Sequence, residues 1–236
     1  SIVSGQIANA TLALPSGLTV VGNTGIGTTS PDEILHLKTT ADADLGLKVE
    51  NDDTQAFCKV QSGGTALYGG NAGVNFVSGG SFATAMNIDS NGQVTKPLQP
   101  AFSVTDSGPQ SDYATNSTVT IGFDTEVFDV NGDFASSTFT APVTGKYVLC
   151  GNITFSNLDQ DADFTSVTID TSNRNYSNII DPEGFDKDLS YFSFTITVVA
   201  DMDASDTAKM TFYQSGGAAV ADLAVGQSYF SGYLLG

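Results

Sequence analysis

Basic side chains are scarce in this sequence. Eight Lys and Arg stand against 26 Asp and Glu in 236 residues, a formal net charge of -18 at pH 7. A surface of that sign repels phosphate backbones and anionic headgroups, so nucleic acid is excluded as an expected partner. No apolar run reaches the roughly 18 residues that a membrane helix needs, and no basic n-region leads into an apolar stretch near Ser1. A soluble chain without membrane insertion is expected, and its start at Ser rather than Met fits a processed product or a piece of a longer chain. Histidine occurs once, at His36, and cysteine twice, at Cys58 and Cys150. A His-based triad needs a positioned nucleophile and an orienting acid, and neither thiol has a second histidine to activate it. His36 therefore reads as structural and both cysteines as small buried hydrophobes, with a disulfide allowed but not framed by any CxxC spacing. GxSxG, P-loop and dinucleotide fingerprints are also missing. The expectation is a non-enzyme with no catalytic residues and no resident cofactor.

What the chain has in plenty is the material of strands and turns. Hydrophobic residues make up 40% and charged residues only 14%, with 25 glycines, which suits β-structure better than amphipathic helices. Three stretches differ in texture. Residues 1 to 40 hold short apolar alternations and the glycine-rich GNTGIGTTSP (22 to 31). Residues 41 to 98 hold short strands such as LGLKVEN, which runs into Asp52, and AFCKVQS, which runs into Gly63 and Gly64. KPLQPAFSV then marks a boundary, since proline biases its predecessor away from helix, and residues 99 to 236 form the third stretch.

Isolated pairs of short strands are marginal in water. Three copies of the chain around one axis would supply the missing partners, with Ile26, Leu35 and Leu37 meeting in layers and Gly25 and Gly27 permitting close backbone approach. Residues 22 to 31 read either as such a stalk element or as a surface loop. Beyond residue 99 the strands are longer. In SYFSFTITVVA (190 to 200), Phe192, Phe194, Ile196 and Val198 share one face and Ser193, Thr195 and Thr197 the other. TVTIGF (118 to 123), GKYVLCGNITF (145 to 155), FTSVTID (164 to 170), AKMTFYQS (208 to 215) and SYFSGYLLG (228 to 236) join AFSVTD and STFTAP. About eight strands imply an antiparallel sandwich of jelly-roll type.

FDVNGDFASSTFTAPVTGKYVL (128 to 149) and SYFSGYLL (228 to 235) resemble two segments of the C1q/TNF-like jelly-roll family. Phe139, Pro142, Gly145 and Tyr147 fall at that family's pattern, whereas Leu149 and Gly151 stand where aromatics are expected. GNTGIGTTSP followed by LHL resembles a motif of bacteriophage tail fibres, and NIDSNGQVTKPLQPAF (87 to 102) a linker ahead of C1q-like heads in such fibres. The resemblance implies an all-β protein: a short-strand trimeric β stalk (1 to 40), a neck (41 to 98) and a C1q-like jelly-roll head (99 to 236). Phe139, Tyr147, Leu149 and Phe230 would then lie in the core or at a subunit interface.

The acidic runs admit two readings. DVNGD (129 to 133) starts like a calcium loop, but Phe134 stands at its sixth position and no bidentate glutamate follows, which excludes an EF-hand. Asp159, Asp161 and Asp163, and likewise Asp201, Asp203 and Asp206, could each take Ca2+ from a loop or form a solvated hairpin. N-x-S/T sequons at Asn9, Asn116, Asn152 and Asn175 matter only in a eukaryotic secretory setting. The expected role is that of a phage tail fibre or virion appendage. It would form a homotrimer, join other virion or tail proteins, and bind a host-surface glycan or protein through loops of the head. DQDADF (159 to 164) and TSNRNYSNIIDPEGF (171 to 185), with Asp159, Asp161, Asp163, Arg174 and Tyr176, are the loop candidates. A purely structural cap and a capsule depolymerase are the alternatives.

Overall fold

The computed structural model describes the backbone of Thr24–Ile26, Leu35–Leu37, Leu45–Glu50, Gln55–Val60 and Ala66–Gly70, and then residues 73–78, 83–106 and 108–235. These residues fall into two compact units. One runs up to Asn75 and includes Asn87–Val94; the other takes Phe76–Met86 and the chain from Thr95 onward.

The early strands are short. β1 (Thr24–Ile26) pairs in parallel with β2 (Leu35–Leu37), which sets Gly25 opposite His36 and Ile26 opposite Leu37. β3 (Leu45–Glu50), β4 (Gln55–Val60) and β5 (Ala66–Gly70) form an antiparallel meander. β6 (Val74–Ser78), β7 (Ala83–Ile88) and β8 (Val94–Thr95) form another three-stranded sheet. Asp89 shapes the turn after β7 by accepting the backbone N–H groups of Asn91 and Gln93, both at 2.8 Å.

From residue 101 the strands build two facing sheets. They are β9 (Ala101–Thr105), β10 (Gln110–Tyr113), β11 (Val119–Thr120), β12 (Thr125–Asp129), β13 (Phe134–Ala135), β14 (Thr138–Thr140) and β15 (Gly145–Ser156). β16 (Ala162–Thr171), β17 (Asn175–Ile180), β18 (Phe192–Met202), β19 (Thr207–Gly216), β20 (Ala221–Leu223) and β21 (Tyr229–Leu234) complete the set. The first sheet runs β18–β15–β21–β9–β12, with β20 taking over from β21 along the end of β15 and carrying β10 beside it. The second runs β13–β14–β19–β16–β17, with β11 also against β19. Every pairing in both sheets is antiparallel, and the whole is a jelly-roll-type β-sandwich.

Alternation explains the core. Tyr147, Leu149, Ile153 and Phe155 of β15 point inward with Phe194, Phe230 and Phe102, and meet Phe139, Phe212, Val167 and Ile169 of the second sheet. Phe102 stacks on Phe139 with ring centroids 4.7 Å apart, and Phe155 lies 4.2 Å from Phe212. Each such ring contributes about 1.5–3 kcal/mol by leaving water. Phe139, Tyr147, Leu149 and Phe230 are thus core within one chain, not interface.

Three sequence expectations change. Thirteen strands lie beyond residue 99 among the described residues rather than about eight, because short segments such as β10 and β20 are extended by their neighbours' hydrogen bonds. In TVTIGF only Val119–Thr120 is strand. The Gln110 side chain binds both backbone groups of Gly122, accepting from its N and donating to its O at 2.7 Å each, which takes them away from any ladder. The stretch 171 to 185, read as one loop, contains β17, whose Asn175–Ile180 pair with Thr165–Asp170 of β16.

Candidate functional site

The outward side of the first sheet carries the most distinctive surface. Partnered residues of a ladder share a face, so the register defines three ranks across it. Val199, Val148, Tyr233 and Ala101 form one; Thr197, Cys150, Ser231, Ser103 and Phe128 the next; Thr195, Asn152, Tyr229, Thr105 and Thr125 the third. Tyr233 is 49% exposed, and Val199, Phe128 and Tyr229 are exposed as well. The middle rank is made of small side chains up to Phe128 at its end, with Val199, Val148 and Tyr233 on one side of it and Tyr229 on the other. Sequence reasoning did not single out these residues, although the signal is present in SYFSGYLL, where Tyr229, Ser231 and Tyr233 alternate with inward Phe230, Gly232 and Leu234.

Cys150 sits at the centre of this face, half-buried, with the Thr197 hydroxyl donating to its sulfur at 3.3 Å. Cys150 beside it raises the Tyr229 hydroxyl above the usual tyrosine range, with burial adding to the effect. The expectation of two buried cysteines is corrected. Cys150 occupies an outward position of β15 between inward Leu149 and Gly151, and Cys58, in the middle strand of the β3–β4–β5 meander, is exposed; both thiols are free.

The acidic candidates separate by geometry. Asp159 is only 3% exposed. Its Oδ1 accepts the Asp161 N–H at 2.9 Å, and its Oδ2 accepts those of Ala218 and Ala219 at 2.6 and 2.7 Å. Burial pushes this carboxyl up, but the three N–H groups of Asp161, Ala219 and Ala218 outweigh it and hold it below the ordinary carboxylate value. Asp159 is therefore a turn-fixing group turned inward, unlike its neighbours: Asp161 is exposed, and exposed Asp163 accepts the Ser215 hydroxyl at 3.0 Å. Arg174 is exposed and lies over the Tyr176 ring, 5.6 Å from its centroid, while Tyr176 packs against the core edge.

The second acidic run is likewise spoken for. Asp201 pairs with Lys146 at 2.6 Å, and the Asp206 Oδ2 accepts the Asp203 N–H and the Asn173 amide. No three His, Cys, Asp or Glu side chains come together as a metal site among the described residues. The stalk candidates Ile26, Leu35 and Leu37 lie in β1 and β2. Their side chains, and the rest of residues 22 to 31, are outside the described residues.

The fold and its exposed sheet face define a class: an antiparallel jelly-roll sandwich with one partly apolar outer sheet. No protein-family model matches the chain, and no curated protein matches it. Among solved structures it is similar to the globular domain of zebrafish complement 1qA protein. The two are 18% identical with a TM-score of 0.43, over 58% of this chain and 98% of that one. It is likewise similar to murine APRIL at pH 8.0, 12% identical with a TM-score of 0.44 over 58% of this chain and 99% of that one.

Proposed function

We propose that the chain is a bacteriophage tail fibre or related virion appendage. It assembles as a homotrimer and holds a host-surface glycan or protein through its C-terminal sandwich, without catalysis. The carrying observation is the outward face of the first sheet, where Val199, Tyr229, Tyr233 and Phe128 are exposed in a single chain and Val148 is half-buried between Val199 and Tyr233. Covering such a face with a second copy removes apolar surface from water at about 25 cal/mol per Å2. The short strands β1 and β2 and the tail-fibre resemblance of GNTGIGTTSP support the same reading.

Function then follows from valency. Three modest sites on one rigid head, repeated over several fibres, raise avidity through effective concentration without any new contact. The loops that join the sandwich strands can vary without disturbing the core, which makes them suited to recognition.

The decisive experiment pairs two measurements on the intact chain: native mass by sedimentation, and saturable binding to candidate host bacteria. A trimer that binds saturably supports the reading. A single-chain mass at neutral pH overturns the assembly. A trimer that binds no cell surface leaves only a structural cap.

A further inference from the structure

Next to the Thr195–Asn152–Tyr229 rank, the first sheet and the turn after β20 enclose an open cavity of about 580 Å3. That size lies in the range of small-ligand sites. Its lining has one conspicuous property: in a chain of net charge -18, no ionisable carboxylate, amine or guanidinium lines it. The polar groups are hydroxyls and an amide. Thr154 of β15 and Ser193 of β18 place their hydroxyls 2.8 Å apart, either one donating, so the pair keeps one hydrogen and free lone pairs for a third party. The Gln227 side-chain amide has no hydrogen-bond partner among the described residues and stands exposed on the wall. Tyr191, two residues before Ser193 and 72% exposed, lines the cavity as well.

The wall is fixed before any ligand arrives. Buried Asp106 accepts the N–H groups of Gly226 at 2.8 Å and Ser228 at 3.3 Å. Gly226 has φ +72°, a left-handed conformation that favours glycine. The Ala224 N–H donates to the Thr154 carbonyl at 2.9 Å, and the Thr154 N–H to the Ser228 hydroxyl at 3.1 Å. Preorganisation of this kind lowers the ordering cost of binding.

We propose that this cavity is a subsite for an uncharged sugar, the end of a neutral oligosaccharide. The C–H face of the pyranose lies on the Tyr191 ring, and its hydroxyls exchange hydrogen bonds with the Thr154–Ser193 pair and the Gln227 amide. An anionic saccharide meets no cation here and the repulsion of an acidic protein. The assignment rests on the reading of the sandwich as a host-binding head.

The test uses the intact protein on a printed array of neutral hexose and N-acetylhexosamine oligosaccharides beside sialylated and phosphorylated ones. Native mass and host-cell binding are measured in parallel. Saturable binding to neutral oligosaccharides is expected, weakened about tenfold or more by Tyr191→Ala and by Gln227→Ala, with the assembly mass unchanged. Binding confined to anionic glycans, no binding to the array, or binding indifferent to both substitutions overturns the subsite. A lower assembly mass in Tyr191→Ala also overturns it, by giving the cavity to the subunit interface. If host cells are still held while Tyr191 proves irrelevant, the subsite fails and the host-binding reading stands; if the unaltered protein holds no cells, that reading fails with it.

Discussion

Met210 of β19 fills the space over Gly151 of β15, so that a methyl group on residue 151 would overlap both the sulfur and the terminal methyl of Met210. The resemblance to C1q-like sequences leaves an aromatic missing at residue 151, and here the opposite sheet supplies the volume. The register makes room for this, because Gly151 faces Phe230 on one side and Ile196 on the other, both with inward side chains.

Gly151→Ala should therefore overpack the core. Methionine can swing aside, so the expected cost is about 1–2 kcal/mol. Combining it with Met210→Ala should recover part of that loss, a coupling between touching residues that urea unfolding of the two single variants and the pair would reveal. Simple additivity would show that Met210 does not occupy the space over Gly151.

Acid should loosen the turn held by Asp159. Its folded-state carboxyl titrates below its unfolded value, so its contribution to stability is present above the unfolded pKa of about 3.9 and lost as pH falls through the folded one. Melting temperature should drop below about pH 4, and less steeply in Asp159→Asn, whose amide cannot titrate. At pH 7 that variant should be less stable by about 2–3 kcal/mol, because its amide cannot accept all three N–H groups. Calorimetry across pH 3 to 7 would check both; equal acid profiles would remove Asp159 from the account.

How legible this was differs by element. The inward positions of β15 and β18 follow from period-two alternation alone, and Phe194, Ile196, Tyr147 and Phe230 are buried as that pattern predicts. β17 escaped because NYSNII carries polar residues on both parities; its strand character comes from β16 beside it, a tertiary contribution that propensity does not contain. Asp159 escaped for a related reason. DQDAD has the composition of a wet hairpin, and only the arrival of Ala218 and Ala219, some sixty residues away, turns its first carboxylate inward. The outer-face ranks were readable in SYFSGYLL, but their alignment with Val148 and Val199 needs the register.

Asp106 offers a separable prediction. Asp106→Ala strands the Gly226 and Ser228 N–H groups and should cost about 2–3 kcal/mol. Hydrogen exchange should accelerate selectively across residues 224 to 228, ahead of β15. Uniform acceleration would mean that Asp106 supports the whole sheet rather than this turn.

Charge placed on the outward sheet should separate assembly from folding. Val148→Asp and Tyr233→Asp alter positions that face away from the core, so the far-ultraviolet circular dichroism of the sandwich should persist. Sedimentation should show the mass falling toward one chain. A mass unchanged by both substitutions would move the proposed trimer interface to another face.

β21 comes last of the described strands, yet it lies inside the first sheet, between β9 and β15. Until residues 229 to 234 leave the ribosome, β9 with β12 and β15 with β18 are two half-sheets, each with an open edge. The sandwich therefore closes only when β21 slots between them, and during synthesis those two waiting edges are where neighbouring nascent chains can meet wrongly.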